Sequence, residues 1–256
     1  MLAGAFAGLM SGVLGIGGGI IVVPALVFIF RDDPSVPANL VMHIAAGTSL
    51  AVMMFTSQAS IRAHRKKSDI QWDVFKRLWP GIVIGVLSGA LLADRLPTQW
   101  LKWLLGIFLL FVAIKMLTGK DVSQSRGFPR RWINALISFV IGLKSGLLGI
   151  GGGALIIPYL TYCGIEMRKI AAVSSLCTMT VAVLGTLTFI FTGSNEGGLP
   201  PFSTGYVYWP AVAALAIPSV LLAPVGAELT YRLPVKKLTY AFVIILFFTA
   251  INLLFF

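Results

Sequence analysis

Two short stretches of this chain have the composition of an anion-binding backbone. Residues 8–26 read GLMSGVLGIGGGIIVVPAL and residues 142–160 read GLKSGLLGIGGGALIIPYL, with 12 of 19 aligned positions identical. Glycines cluster at Gly15, Gly17, Gly18 and Gly19, and again at Gly149, Gly151, Gly152 and Gly153, each cluster followed by a proline, Pro24 or Pro158. Such a run cannot make an uninterrupted helix. It reads as a helix broken at the glycines, with a short second helix starting at about Gly19 or Gly153. The first four N–H groups of a helix have no partner inside it, and the helix dipole places roughly half a positive charge there. Backbone alone then makes an anion site.

Side chains that suit the same chemistry follow each motif. HIAAGTSLAVM at 43–53 matches KIAAVSSLCTM at 169–179, which puts Thr48-Ser49 and Ser174-Ser175 at equivalent places. A hydroxyl donates to an anion without bringing a charge into an apolar setting. The competing use of each is tight helix packing, or donation back to the carbonyl of its own helix. Ser11 and Ser145, four residues before the clusters, carry the same two readings. Lys144, whose repeat partner is Met10, is a basic residue within an apolar segment. A charge there marks function by default, unless the long side chain reaches an interface. The predicted substrate-binding residues are therefore Gly15, Gly17, Gly18, Gly19, Thr48, Ser49, Lys144, Ser145, Gly149, Gly151, Gly152, Gly153, Ser174 and Ser175.

Other chemistries find little support. GIGGGI resembles a fragment of a dinucleotide fingerprint, but no strand precedes it and no acidic residue follows at the required distance. Cys163 and Cys177 have no metal-ligand spacing. The two histidines, His43 and His64, accompany no plausible nucleophile. No catalytic residue, metal or cofactor is expected. The absence of Asp or Glu from the middle of any apolar run argues against a carboxylate proton relay.

The elements that position these residues are membrane helices. The 256 residues are 57 % hydrophobic and 11 % charged, with mean hydropathy +0.92; a water-soluble domain carries about 25 % charged residues. Apolar runs such as Leu101–Ile114, Ala171–Thr192 and Leu238–Phe256 suit helices of about 20 residues in a lipid bilayer. The net charge of +11 does not indicate nucleic acid, because the basic residues lie in short loops between apolar runs.

The repeat covers the whole chain. Trp79-Pro80 matches Trp209-Pro210, and GALLADRLP at 89–97 matches GAELTYRLP at 226–234. Lys and Arg counts orient the halves. Segments 62–77, 115–131, 166–170 and 232–237 hold 16 of the 20 Lys and Arg. All four fall on the cytoplasmic side if each glycine-broken segment is a re-entrant hairpin and each half has three full spans. An odd number of spans makes the halves inverted. The arms Met1–Leu14 and Gly19–Phe30 agree: at about 1.5 Å per residue each reaches roughly 20 Å, short of a core about 30 Å thick.

The expected fold is thus all-α and polytopic. The first repeat is 1–120 (hairpin 1–30, spans about 40–62, 76–94 and 98–117), joined by a cytoplasmic linker at 121–130 to a second repeat at 131–256 (hairpin 131–163, spans about 169–193, 206–231 and 235–256). The alternative is eight full transmembrane helices in two parallel repeats, each motif being one kinked helix.

Duplicated GLxSGxLGIGGG…P blocks, each followed by an AAxxSL-like stretch, resemble the TauE/SafE family of sulfite and organosulfonate exporters over nearly the whole chain. The resemblance implies movement of a small sulfur-containing anion, such as sulfite or sulfoacetate, across the cytoplasmic (inner) membrane. The halves differ at Met10/Lys144, Gly47/Val173 and Ala51/Cys177, which makes such a site asymmetric. A secondary transporter is the expected function. An anion channel on the same site, and a non-transporting membrane scaffold or intramembrane enzyme, are the competing readings. The lipid bilayer and the anion are the expected partners, and apolar helix surface leaves room for a homodimer.

Overall fold

The computed structural model of the protein describes residues 2–14, 17–65, 71–118, 127–232 and 235–255. Gly15 and most of the 121–130 linker lie outside them. Among the described residues the chain forms ten helices: α1 Leu2–Leu14, α2 Gly19–Arg31, α3 Val41–Arg65, α4 Trp72–Arg95, α5 Thr98–Thr118, α6 Arg131–Leu148, α7 Gly153–Tyr162, α8 Met167–Thr192, α9 Trp209–Arg232 and α10 Val235–Phe255. Between α8 and α9 two short strands, β1 Ser203–Thr204 and β2 Val207–Tyr208, pair antiparallel.

Six helical stretches among the described residues are long and apolar enough to cross a membrane: α3, α4, α5, α6, α8 with the turn after it, and α9 up to Gly226. One of these differs from the expectation. α6, the first arm of the expected hairpin 131–163, runs 18 residues and reaches about 27 Å. Helices α1, α2 and α7, of 13, 13 and 10 residues, are short. The segment before α9 also differs, because 206–208 belongs to the β-hairpin rather than to a helical span.

The outward faces are apolar. Ile107, Phe111, Ile217, Leu221, Ile244 and Phe248 all stand exposed, which suits lipid and not water. All six tryptophans are exposed, and five of them (Trp72, Trp100, Trp103, Trp132 and Trp209) lie in the first two turns of a helix. Helix ends are where a bilayer's interface favours such rings.

Small residues bring the helices together. On α4, a Cβ at Gly85 would stand 2.2 Å from Phe139 O and one at Gly89 2.1 Å from Leu143 O; on α6, one at Gly142 would stand 2.4 Å from Ile82 O. The α1–α9 pair is built alike: a Cβ at Gly8 would meet Ser219 O at 2.3 Å, and one at Gly226 would meet Leu9 O at 2.1 Å. Such backbone contact is how helices associate where burial from water supplies no drive. Enclosed by these pairs, α3 and α8 cross antiparallel, with Leu50 against Gly185 and Ser60 beside Ser175. α3 also packs on α2 and α9, α8 on α7 and α4, and α5 on α10.

Candidate functional site

The two glycine clusters are turns, and the turns meet. In the first, Gly17 and Gly18 are left-handed, with φ of 81° and 78°. α2 starts immediately after, and the N–H groups of Ile21 and Val22 donate to Gly18 O at 3.0 and 3.1 Å. In the second, Gly149 is left-handed at 67° and ends α6. α7 then starts at Gly153, with Leu155 and Ile156 N–H donating to Gly152 O at 3.1 and 2.9 Å. The N-cap residues, Gly18 and Gly152, have no side chain to cap either short helix. The glycines described, Gly17–Gly19 and Gly149–Gly153, are all buried. A Cβ on Gly19 would stand 3.1 Å from Gly151 N and 2.7 Å from Met53 Sδ. The first residue of α2 therefore lies against the backbone nitrogen of the opposite turn.

Helices α3 and α8 wall this meeting point. A Cβ at Gly17 would lie 2.3 Å from Thr178 Cγ2, and one at Gly149 2.4 Å from Ala46 Cα. Thr56 Oγ1 donates to Gly17 O at 3.1 Å. The hydroxyls of Ser49, Thr178 and Ser11 are buried without a hydrogen-bond partner. A buried hydroxyl left unpaired costs about 1–3 kcal/mol, and Thr178 carries one beside the first turn.

The remaining sequence-derived residues are engaged elsewhere. Ser145 Oγ donates to Ile141 O at 2.7 Å, and Ser175 Oγ to Ala171 O at 2.9 Å, with Ser60 Oγ 3.1 Å away. This is the back-bonding use of a helical serine. Ser174 is fully buried on α8. Thr48 Oγ1 accepts from Tyr208 N–H at 3.0 Å. Lys144 is half-buried, and its Nζ lies 5.5 Å from the centre of the Phe108 ring on α5, a cation–π distance. Among the described residues no group of His, Cys, Asp and Glu could hold a metal ion.

The profile of the sulfite exporter TauE/SafE family matches residues 1–253. The chain belongs to this family. A probable membrane transporter protein of Haemophilus influenzae is 33 % identical over 254 residues, covering 99 % of this chain and 96 % of its own length. Another, of Methanocaldococcus jannaschii, is 31 % identical over 246 residues, covering 93 % and 88 %. The probable membrane transporter YunE of Bacillus subtilis is 24 % identical over 278 residues, covering 100 % and 96 %. No solved structure matches the chain. As a TauE/SafE protein the chain is a multi-pass membrane protein of a transporter family, not an enzyme.

Sequence reasoning missed part of this TauE/SafE chain's centre. Thr178 was passed over because its repeat counterpart is Val52, so recurrence gives no signal. Tyr206 was passed over because it lies in a polar, Gly- and Pro-rich stretch. It is 1 % exposed. Its hydroxyl donates to Asp94 Oδ1 at 2.9 Å, its ring centre is 5.2 Å from that of His43, and its N–H donates to Phe189 O at 3.2 Å. His43 is buried with Nε2 3.0 Å from Ala93 O. A signal did exist: Gly205-Tyr206, with φ of 55° at the glycine, sits between Ser-Thr and Val-Tyr. That is a two-residue hairpin with glycine first.

Proposed function

We propose that this TauE/SafE protein is a secondary transporter that exports a small organosulfur anion, such as sulfite, sulfoacetate or another sulfonate. The anion binds where the two glycine turns meet. The approach of Gly19 to Gly151 N carries this reading. Two uncapped helix starts at one buried place concentrate N–H donors and positive dipole ends without a charged side chain. Ser49 and Thr178, unpartnered and fully buried, add hydroxyl donors. Donors held in place and shielded from water favour an anion that is itself a strong acceptor.

The pattern of helix contacts supports two inverted repeats. Exchanging α1–α5 with α6–α10 turns the α4–α6 pair into α9–α1, α3–α9 into α8–α4 and α2–α3 into α7–α8, and leaves α3–α8 and α5–α10 as they are. With re-entrant hairpins and three spans in each half, the basic segments face the cytoplasm across the inner membrane. The site then sits between the repeats, where transporters built this way bind their cargo, and alternating access comes from one repeat moving against the other. The hairpin carrying Tyr206 closes the non-cytoplasmic side over Thr48.

The test is the melting temperature of detergent-purified protein with sulfite, sulfate, thiosulfate, sulfoacetate, taurine, acetate, phosphate and chloride. A ligand at about 100 times its Kd stabilises by roughly 2.7 kcal/mol. A rise confined to sulfur oxyanions is expected. No rise with any of them sinks the reading.

A further inference from the structure

We infer that Met53 sets the size of anion that the site accepts, an inference that rests on the site proposed above. The meeting point is bordered by Gly17, Gly19, Gly151 and Thr178, all short. Met53 is the long exception. It is fully buried, with Sδ and Cε 2.7 and 2.9 Å from where a Cβ on Gly19 would stand, and Sδ 3.3 Å from that of Gly17. Its tip therefore occupies the space beside the first residue of α2, next to the backbone nitrogen of Gly151.

The chemistry of the tip suits a selector. A thioether offers no donor to an anion, so it does not compete with the N–H groups, and its unbranched, rotatable chain moves at small cost. The turns around it are backbone and cannot yield in the same way. The counterpart in the other half behaves differently. Met179 is partly exposed, and its Sδ lies 3.2 Å from Ser57 Oγ, which donates to Met53 O at 2.5 Å. Ser57 aligns with Val183, so no hydroxyl holds Met53 in the same manner. One methionine side chain lies beside a serine hydroxyl and the other lies on the glycines. The side-chain packing on Gly17 and Gly19 is thus set on one side by Met53. A compact oxyanion such as sulfite displaces the tip little, whereas the carboxymethyl arm of sulfoacetate requires it to swing away.

The test is isothermal titration of purified full-length protein with sulfite and with sulfoacetate. Met53→Ala is expected to raise the preference for sulfoacetate over sulfite about tenfold, since one or two methylenes of pocket wall discriminate by about 10- to 200-fold. Met53→Leu, close to Met in volume, keeps the ratio within about twofold. If Met53→Ala loses its cooperative melt, Met53→Val shows a smaller change in the same direction. An unchanged ratio in a folded Met53→Ala or Met53→Val overturns the inference. Gly19→Ala separates the two claims. Loss of both anions in Gly19→Ala with an unchanged ratio in Met53→Ala leaves the site and rejects the selector. Retention of both affinities in Gly19→Ala, or wild-type protein that binds neither anion, rejects the site and the selector with it.

Discussion

The last three glycines of GIGGG are folded in two ways. In the first turn Gly17 and Gly18 are left-handed; their counterparts in the second are Gly151, which is not, and Gly152, with φ of −63°. There the left-handed residue is Gly149. The surroundings differ as well. The first turn is held at its centre, by Thr56 Oγ1 on Gly17 O. The second hairpin is tied at its far end, where Tyr159 donates to Asn134 Oδ1 at 2.6 Å and Asn134 Nδ2 to Arg77 O at 2.8 Å. The shared motif therefore does not encode one turn conformation. It encodes the absence of side chains, and each copy uses that absence at different positions.

The strongest way to break this comparison is Gly149→Ala. The new Cβ would have to sit 2.4 Å from Ala46 Cα with φ at +67°, so backbone must shift in α3. A loss of about 3 kcal/mol or more is expected, read as a large fall in melting temperature or no monodisperse protein. Next comes a matched pair. Gly18→Ala meets Ala7 O at 3.0 Å with φ at +78°, whereas Gly152→Ala meets the tip of Ile156 at 2.9 Å with an ordinary φ. Gly18→Ala should destabilise by about 1–3 kcal/mol, and Gly152→Ala by under about 1 kcal/mol because the isoleucine tip can turn. Equal effects at these two positions would show that the turns are alike after all.

Smaller effects sharpen the contrast between a turn held at its centre and a hairpin tied at its end. Thr56→Val and Tyr159→Phe each remove one hydrogen bond and should each cost about 1 kcal/mol in thermal unfolding. They differ in function. Thr56→Val loosens the turn at the proposed anion site and should weaken binding, while Tyr159→Phe should leave the affinity within about twofold. Weakened binding in Tyr159→Phe alone would reverse the assignment.

Much of this was legible in the sequence where the signal was a change of composition. The glycine clusters break helices because no other residue combines positive φ with such close backbone approach, and the new helices start at Gly19 and Gly153. The Ser and Thr pairs were visible as motifs, but the destination of each hydroxyl proton was not. Ser49 and Ser175 align, yet Ser49 has no partner while Ser175 donates to its own helix. That choice depends on rotamer and neighbours, which a spacing does not carry. Tyr206 was hidden because a short hairpin with polar flanks folds inward only when α3, α4 and α8 offer His43, Asp94 and Phe189 to receive it.

The central claim is that an anion binds between Gly19 and Gly151. Its most direct test is the sulfite-dependent rise in melting temperature of the wild-type protein beside that of Gly19→Ala, each first shown to unfold cooperatively without anion. A rise in the wild type that is lost in Gly19→Ala is the predicted result, because the added methyl would stand 3.1 Å from Gly151 N and crowd that donor. An equal rise in both proteins would contradict the account.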